Sequence, residues 1–279
     1  MAPLGIIAGL GDLPVQVAKA ATERGQGVFV VRMKGFEEPA LTSYPGIVAG
    51  VAEIGKTMKA LKQADCHQVC FAGIVKRPDF QALKPDLKGI SLLPKAISAA
   101  RDGDDALLSF LIKTFENEGF EVVGADQAAG SLTAQAGALS GVQPTPEQLE
   151  DLKKAASVAS EMGRLDIGQG AIVANGLVLC VEAQEGTDEM LRRCADLPFQ
   201  IRGSEQTRAG VLVKRPKPQQ ERRIDLPTIG IRTVDLAAEA GLAGIGFEAN
   251  GALIINSEQV QARAEALGLF LYGFPKGWP

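Results

Sequence analysis

The sequence predicts an α/β protein of two domains, and three observations carry that prediction. The chain has 279 residues, which is long for one compact core, since a domain typically has about 100–200 residues. In the first half, short apolar segments alternate with segments of helical periodicity. In the second half, two Asn-Gly pairs separate apolar segments, a pattern that indicates β-hairpins.

Residues 1–130 are predicted to form a parallel sheet covered by helices. The predicted strands are 4–8, 28–31, 68–72 and 121–124, and the predicted helices are 14–24, 54–63 and 106–115. Because the strands are apolar along their length, both faces of the sheet should be buried under helices. We therefore expect a Rossmann-like domain here.

Residues 131–144 are rich in small side chains and are predicted to be a linker. Thr145 then begins a helix that runs to about Arg164, because Thr145 and Gln148 have the spacing of a capping box. Further on, Asn175-Gly176 and Asn250-Gly251 predict two hairpins, and helices are predicted at 187–194, 234–240 and 257–267. Residues 145–279 are thus expected to form a C-terminal α/β domain with a mixed sheet.

Composition excludes several classes of function. With 29 basic and 33 acidic residues, the net charge of -4 argues against a nucleic-acid partner. No apolar stretch approaches the ~18 residues of a transmembrane helix. The N-terminus has no secretory signal, so we expect a cytoplasmic protein with reduced thiols.

The chain has a single histidine, His67. A His-rich metal centre is therefore excluded, and the chemistry is expected to depend on carboxylates, lysines, backbone amides and Mg²⁺ held by oxygen ligands. Cys66 and Cys70 lie beside His67, where a helix is predicted to lead into a buried strand. We interpret these two thiols as packing groups and not as zinc ligands.

The turn after the first strand is a candidate phosphate-binding site. Two glycines there allow a phosphate to approach a helix N-terminus, and a plain tight turn is the alternative. A nicotinamide cofactor is not expected, because Pro14 replaces the third glycine of the dinucleotide fingerprint and Arg32 stands where an acidic residue is usual. The candidate binding residues of this turn are Gly9, Leu10, Gly11 and Asp12.

Two further segments of the first half carry charged candidates. Lys76 and Arg77 follow a buried strand, at the edge of a parallel sheet where ligands bind, although a solvated basic loop is the alternative. Asp104 and Asp105 begin a helix, where carboxylates more often complement the helix dipole than hold a metal ion.

The segment from Arg208 to Arg223 has the highest concentration of positive charge, with six basic residues and one acidic residue. Prolines 216 and 218 stiffen the chain around Lys217, so we expect Lys214 and Lys217 to bind a pyrophosphate. Asp225 follows this segment and is expected to align a metal ion or a water molecule, the alternative being an ion pair with an arginine.

Two other features complete the candidates. Thr187 and Asp188 begin a predicted helix, with Thr187 as its N-cap, so the free N–H groups there can also face an anion. Four aromatic residues lie close to the C-terminus, where core closure or a dimer contact is the first interpretation and a lipid-facing edge the alternative. They are Phe270, Tyr272, Phe274 and Trp278.

The sequence resembles the LpxI-type UDP-2,3-diacylglucosamine pyrophosphatases over essentially its whole length. The segments that carry the resemblance are 5–14, 76–80, 166–169, 181–188, 213–220 and 225–230. The resemblance implies hydrolysis of UDP-2,3-diacylglucosamine to 2,3-diacylglucosamine 1-phosphate (lipid X) and UMP during lipid A synthesis. It also implies a divalent cation such as Mg²⁺, a substrate held between two domains, and peripheral association with the inner face of the bacterial inner membrane.

The resemblance also implies roles for individual residues. Asp225, Lys214 and Lys217 would be catalytic, and the metal ligands would come from Asp225, Asp188, Asp104 and Asp105. The substrate-binding residues would be Gly9, Leu10, Gly11, Asp12, Lys76, Arg77, Thr187, Asp188 and Gln220. A homodimer is a further expectation, and the alternative functions are a nicotinamide-dependent oxidoreductase and a non-catalytic nucleotide-sugar binding protein.

Overall fold

A computed structural model describes residues 1–76, 79–80, 82–130, 132–218, 221–224 and 226–278. The chain divides into two compact units, Met1–Ser131 and Leu132–Pro279. The predicted α/β class is confirmed, with one parallel sheet in the first unit and a mixed sheet in the second. None of the described helices is long and apolar enough to cross a membrane.

The first unit alternates strands and helices as the apolar periodicity predicts. Its strands are β1 (Leu4–Ala8), β2 (Val28–Met33), β3 (Gly46–Ala49), β4 (Gln68–Ala72) and β5 (Glu121–Val122). Its helices are α1 (Asp12–Glu23), α2 (Ile54–Gln63), α3 (Leu87–Arg101), α4 (Asp104–Glu116) and α5 (Ala125–Ala129).

The five strands are all parallel and have the order β3-β2-β1-β4-β5. This is a doubly wound, Rossmann-like order, in which ligands bind at the carboxyl ends of β1 and β4. Helix α1 packs against α5, and α3 packs against α2 and α4. All five residues of β1 are buried, as its apolar sequence predicts.

Helix α3 was not among the helices that the sequence predicts. Gly89 and Pro94 lie inside it, and both residue types lower helix propensity. The Asp86 side chain compensates at the N-terminus, because its Oδ1 accepts a hydrogen bond of 2.7 Å from the Gly89 N–H.

The second unit begins with a short strand and a long helix. Its strands are β6 (Gly137–Ala138), β7 (Gly170–Ala174), β8 (Leu177–Val181), β9 (Val211–Lys214), β10 (Thr228–Ile229), β11 (Gly244–Glu248), β12 (Leu253–Ile254) and β13 (Phe270–Phe274). Its helices are α6 (Pro146–Arg164), α7 (Gly186–Ala195), α8 (Phe199–Arg202), α9 (Ile231–Glu239) and α10 (Ser257–Ala266). The predicted capping box of Thr145 and Gln148 is confirmed.

The main sheet of the second unit has the order β6-β13-β11-β9-β7-β8. Strands β9, β11 and β13 are parallel, whereas β6, β7 and β8 pair antiparallel with their neighbours. Apolar residues of α7, α9 and α10 pack on one face, around Leu212 and Ile245, and α6 packs on the other face against Val213. The sheet is therefore a buried layer between two layers of helices.

The first predicted hairpin is confirmed and the second is wrong. β7 and β8 form an antiparallel pair around Asn175-Gly176. Asn250-Gly251 also makes a turn after β11, but β12 then pairs in parallel with β10 in a separate small sheet. Hydrogen bonds from Leu253 N to Pro227 O and from Ile255 N to Ile229 O hold it there.

Residues 132–144 were predicted to belong to a linker, but they are part of the second unit. They contain β6, which pairs with β13, and Leu132 and Ala134 among them are buried. Ala134 N donates to the carbonyl of Ala252. These residues therefore belong to the second unit because its sheet and turn provide their hydrogen-bond partners.

The thiols and the C-terminal aromatic residues are core groups. Cys66, Cys70, Cys180 and Cys194 are all free and buried. Phe270 and Phe274 are also buried, and the Trp278 ring stacks on Phe274 with 5.2 Å between centroids. The interpretation of the aromatic residues as core closure is thus confirmed, and their lipid-facing alternative is wrong for the two buried phenylalanines.

Candidate active site

The carboxyl edge of the second unit's main sheet carries the candidate site. Because β9, β11 and β13 are parallel, their last residues lie at the same edge, and two of these residues are Lys214 and Glu248. Lys214 is only 5% exposed, and its Nζ donates to the carbonyl of Thr228 at 3.0 Å. Within the part of the chain that the structure describes, Lys214 has no ion-pair partner. It is a buried cation whose charge is available to an anion.

Glu248 binds two arginines of the cationic segment. It is 2% exposed, and its Oε2 lies 3.2 Å from Arg215 while its Oε1 lies 2.9 Å from Arg222. Arg215 also donates to the carbonyls of Ala156 and Trp278. The Arg215 side chain thus connects the segment to α6 and to the C-terminal residues. Its charge therefore has a structural role.

Lys217 forms an ion pair with the carboxylate of Asp166, which lies just after α6. Its Nζ lies 2.6 Å from Asp166 Oδ1. Gly163, near the end of α6, allows this approach, since a Cβ there would lie 3.1 Å from the Lys217 Cα and 3.2 Å from Pro218 Cδ. The stiffened loop is therefore packed closely on α6.

The remaining arginines of the segment are also engaged. Arg223 pairs with Glu221 at 2.9 Å, and hydrogen bonds from Arg223 hold the pKa of the Glu221 carboxyl below its ordinary value. Arg208 donates to the carbonyls of Ala238 and Leu242. Most cations of the segment are therefore less available to a pyrophosphate than their number suggests. Lys214 remains the best candidate for binding one.

The start of α7 adds polar groups beside the sheet. Thr187 was predicted to be the N-cap, but the N-cap is Glu185, two residues earlier, and the helix begins at Gly186. The Thr187 hydroxyl instead donates to Glu182 Oε1 at 2.8 Å. Glu182 is buried, and its Oε2 has no hydrogen-bond partner among the described residues.

This hydrogen bond determines what Thr187 can offer a ligand. Because the hydroxyl proton points to Glu182, the hydroxyl oxygen is left as an acceptor. An acceptor suits a sugar hydroxyl or an amide N–H better than a phosphate oxygen. The Thr187 side chain therefore offers a ligand a hydrogen-bond acceptor.

Asp188 joins the first turns of two helices. Its Oδ2 lies 2.6 Å from Arg232 Nε, and Arg232 belongs to the first turn of α9. The N-termini of α7 and α9 are thus neighbours, and their free N–H groups favour anions nearby.

The proposed metal ligands do not form a cluster in the described residues, which contain no group of three His, Cys, Asp or Glu side chains suited to a metal ion. Asp188 is engaged by Arg232. Asp104 and Asp105 lie in the first turn of α4, in the first unit, where carboxylates complement the helix dipole. Asp225 lies outside the described residues, as do Arg77 and Gln220, so their predicted roles stay predictions.

In the first unit, contacts within the chain account for both glycines of the predicted phosphate turn. A Cβ on Gly9 would lie 2.4 Å from the Ile74 carbonyl oxygen, because the backbones of Leu10 and Ile74 pair there. Gly11 has a φ of 100°, and its N–H donates to Glu38 Oε2 at 3.0 Å. A carboxylate therefore sits where a phosphate was predicted, while Leu10 and the neighbouring Asp12 are exposed, as is Lys76.

Four carboxylates that organise these sites were not predicted to be site residues: Glu38, Asp166, Glu182 and Glu248. The signal for Glu248 was available, since an acidic residue inside the buried segment Ile245–Glu248 requires a cationic partner. The same argument applies to Glu182, which follows an apolar strand. Glu38 and Asp166 lie in loops, and nothing local in the sequence marks their partners.

The fold and the edge site define a protein of two α/β units, the second of which has a buried lysine at the carboxyl edge of its sheet. The LpxI N-terminal domain model matches residues 3–132, and the LpxI C-terminal domain model matches residues 135–272. The chain therefore belongs to the LpxI family.

A curated relative agrees with this assignment over nearly the whole chain. The UDP-2,3-diacylglucosamine pyrophosphatase LpxI of Caulobacter vibrioides is 54% identical over 273 residues, which cover 98% of each chain. Among solved structures, N5-carboxyaminoimidazole ribonucleotide synthetase from Thermotoga maritima is 16% identical and covers 66% of this chain and 42% of its own. Its TM-score of 0.26 does not indicate a shared fold.

Proposed function

We propose that this protein hydrolyses the pyrophosphate bond of UDP-2,3-diacylglucosamine, giving lipid X and UMP in lipid A biosynthesis. The family assignment supports the reaction, and the buried ammonium of Lys214 supports its location at the edge of the second unit's sheet. A diphosphate carries charge that grows on the leaving group as the bond breaks. A cation fixed in a buried position stabilises that charge without the cost of reorganising water.

The other groups of the edge would orient the substrate. Lys217, held by Asp166, would contact the phosphates, and the acceptor oxygen of Thr187 would bind a hydroxyl or amide N–H of the glucosamine. Asp225 would align the attacking water; in sequence it precedes Thr228, whose carbonyl binds Lys214, by three residues. Attack at phosphorus needs mainly positioning and charge, so the scarcity of histidine is no obstacle.

A nucleotide would place its ribose near the glycine turn of the first unit. Glu38 there offers carboxylate oxygens, which accept hydrogen bonds from hydroxyls and repel phosphates. In Rossmann-like proteins an acidic residue after the second strand commonly has this function. We therefore assign the ribose, and not a phosphate, to the Gly9–Asp12 turn.

A divalent cation would be held by Asp225 together with substrate phosphate oxygens, since Mg²⁺ often uses only one or two carboxylates in phosphate sites. When bound, it would neutralise charge on the phosphates. Removing it with EDTA should stop UMP release, and adding Mg²⁺ back should restore it. Full activity in EDTA would contradict a metal requirement.

Release of UMP from UDP-2,3-diacylglucosamine by the purified chain is the direct test. In Lys214→Met the turnover number should fall about 10²–10³-fold, the usual loss when one positioned electrostatic group is removed. The control Lys153→Met removes an exposed lysine on α6 and should leave turnover unchanged. Binding of the substrate without any UMP release by the wild-type protein would instead support a non-catalytic binding function.

Asp225→Ala tests the assignment of the water-aligning carboxylate. We expect substrate affinity and the circular dichroism spectrum to be retained while turnover falls about 10²–10⁴-fold. The matched control is Asp235→Ala, which removes an aspartate on α9 whose partner is Arg263. Equal turnover in the two variants would show that another carboxylate has this role.

Because the substrate carries two acyl chains, we further propose that the protein works at the cytoplasmic face of the inner membrane. The interaction would be peripheral and transient, and a homodimer remains compatible with it. Fractionation of cells into membrane and supernatant, with and without added salt, measures this association.

A further inference from the structure

Glu182 carries a buried carboxylate oxygen that has no direct partner. The residue is 6% exposed, and its Oε1 accepts a hydrogen bond of 2.8 Å from the Thr187 hydroxyl. Its Oε2 is buried and has no hydrogen-bond partner among the described residues. Because an uncompensated buried carboxylate is costly, a positive charge should lie near this oxygen.

The other buried carboxylates that the structure describes in the second unit do have direct partners. Asp151 accepts hydrogen bonds from two backbone N–H groups in the turn of the first hairpin. Glu248 contacts two arginines, one through each oxygen. Of these three carboxylates, Glu182 is therefore the one whose charge is not matched by a direct contact.

The sheet places Lys214 on the same face as the Glu182 carboxylate. Strands β7 and β9 pair antiparallel, with Gly170 opposite Lys214. A Cβ on Gly170 would lie 2.6 Å from Glu182 Oε2. Since opposite residues of an antiparallel pair direct their Cβ atoms to one face, roughly 5 Å apart, the Glu182 Oε2 lies within about 8 Å of the Lys214 Cβ.

Lys214 and its neighbour Arg215 each have a buried glutamate on their own face of the sheet. Successive side chains point to opposite faces, so the two cations are separated by the sheet. Arg215 donates to a carbonyl of α6 and pairs with Glu248. Lys214 lies on the face of Leu212, against which α7 packs, and Glu182 is the buried glutamate described on that face.

The two pairs differ in how closely their charges approach. Arg215 contacts Glu248 directly, whereas no direct ion pair joins Lys214 to Glu182 in the described part of the chain, and the Lys214 Nζ donates to the carbonyl of Thr228. Opposite charges still attract over several ångströms in a protein interior, because the effective dielectric constant there is low. The Lys214 ammonium is thus balanced at a distance and stays available to an anion.

We propose that Glu182 is a positioning residue of the hydrolytic site, which serves as the buried counter-charge of Lys214 and acts on the substrate phosphates through that ammonium. When no phosphate is bound, Glu182 balances the ammonium. When the diphosphate enters, a phosphate becomes the nearest anion, and the carboxylate keeps its hydrogen bond to Thr187. This inference rests on the proposed hydrolysis at Lys214, but the coupling of the two charges needs no substrate.

A double-mutant cycle on stability tests the coupling. Glu182→Gln removes the charge and keeps an acceptor for the Thr187 hydroxyl. Glu182→Gln and Lys214→Met should each lower the urea midpoint, measured by Trp278 fluorescence, because each leaves one buried charge unmatched. The double variant should have a higher midpoint than Lys214→Met alone, since no unmatched charge is left. An equal effect of Glu182→Gln in the wild-type and Lys214→Met backgrounds would overturn the proposal.

The matched control is Glu189→Gln, which removes an exposed carboxylate of α7 whose partner is Arg192. Water and salt screen this carboxylate from Lys214. Its effect on the urea midpoint should therefore be the same in the wild-type and Lys214→Met backgrounds.

Turnover of UDP-2,3-diacylglucosamine gives a second readout. Glu182→Gln should lower the turnover number about ten-fold in the wild-type background, because the ammonium loses the charge that positions it, and should have no further effect on Lys214→Met. A merely structural role would lower turnover equally in the two backgrounds, and that result would contradict the proposal.

Gly170→Ala is a second variant that keeps both charges. The added Cβ would displace the flexible end of the Glu182 side chain from its place beside Gly170. We expect a lower turnover number in the wild-type background and no change in the Lys214→Met background, with circular dichroism checking that each variant folds. If the wild-type protein releases no UMP, the proposed function fails, whereas the stability cycle still decides whether Glu182 is the counter-charge of Lys214.

Discussion

Each unit contains a glutamate that bridges two cationic side chains, and the two bridges differ in burial. Glu248 in the second unit is 2% exposed and joins Arg215 and Arg222. The Glu118 side chain in the first unit is 34% exposed and joins Lys62 and Lys88. The first bridge fixes a loop beside the candidate active site, and the second lies on an open surface between α2, α3 and the end of α4.

A carboxylate between two cations therefore affects stability differently when it is buried and when it is exposed to water. At the surface, water and salt screen the charges, so an ion pair contributes little to stability. In the buried case, loss of one partner leaves the other charged without solvent. The Glu248 bridge should therefore contribute much to the stability of the second unit, whereas the Glu118 bridge should contribute little to that of the first.

The largest expected effect follows from Glu248→Ala. The Arg215 guanidinium would lose its carboxylate in a buried position, and the free energy of unfolding should fall by about 3–5 kcal/mol. Urea unfolding followed by the fluorescence of Trp278, the single tryptophan of the chain, measures this in the second unit. A loss below about 1 kcal/mol, the range of surface pairs, would show that water reaches Arg215.

An intermediate effect is expected for Asp166→Asn. Asp166 has a φ of 56°, a conformation that asparagine also adopts readily, so the substitution removes mainly the charge that binds Lys217. We expect a loss of about 1–2 kcal/mol in unfolding free energy, together with a raised KM. An unchanged KM would indicate that Lys217 does not contact the substrate.

A smaller, pH-dependent effect is expected for Glu221. The hydrogen bonds from Arg223 lower its pKa below the ordinary 4.5, so the ionised carboxylate stabilises the fold above that pH. This contribution is lost as the pH falls through the lowered pKa. The stability difference between the wild-type protein and Glu221→Gln should therefore be present at about pH 7 and vanish in acid. A difference that stays constant with pH would show that the Arg223 contact is not electrostatic.

The smallest effect is expected for Glu118→Gln. Hydrogen bonds from Lys88 and then Lys62 lower the pKa of Glu118, but the carboxylate is well solvated. Thermal unfolding followed by circular dichroism should change little, and any change should disappear at high salt. A large loss that persists in salt would remove the distinction between the two bridges.

The layers of the fold could be predicted from the sequence because they follow from local patterns. Apolar strands, the Asn175-Gly176 turn and the Thr145 capping box are each decided by a few neighbouring residues. The second predicted hairpin, at Asn250, was wrong since the partners of β12 are Pro227 and Ile229, which lie more than twenty positions earlier.

Only the cations of the candidate site could be predicted from the sequence. Lys214 and Lys217 stand out because the surrounding segment is basic and rich in proline. Their neutralising partners are distant in sequence: Asp166 is 51 positions from Lys217, and Glu248 is 33 positions from Arg215. Such pairs depend on how strands are ordered in the sheet, and local patterns in the sequence do not reveal that order.

The burial of the four native thiols has a practical consequence for labelling. Desolvation raises the pKa of Cys66 to about 11, and of Cys70 and Cys194 to about 12, so these thiols stay protonated and react slowly with maleimides. An added surface thiol, such as the one in Ile90→Cys, would therefore be the preferred attachment point for a fluorophore or a spin label. The native background needs no prior removal of cysteines for such a probe to report on its surroundings.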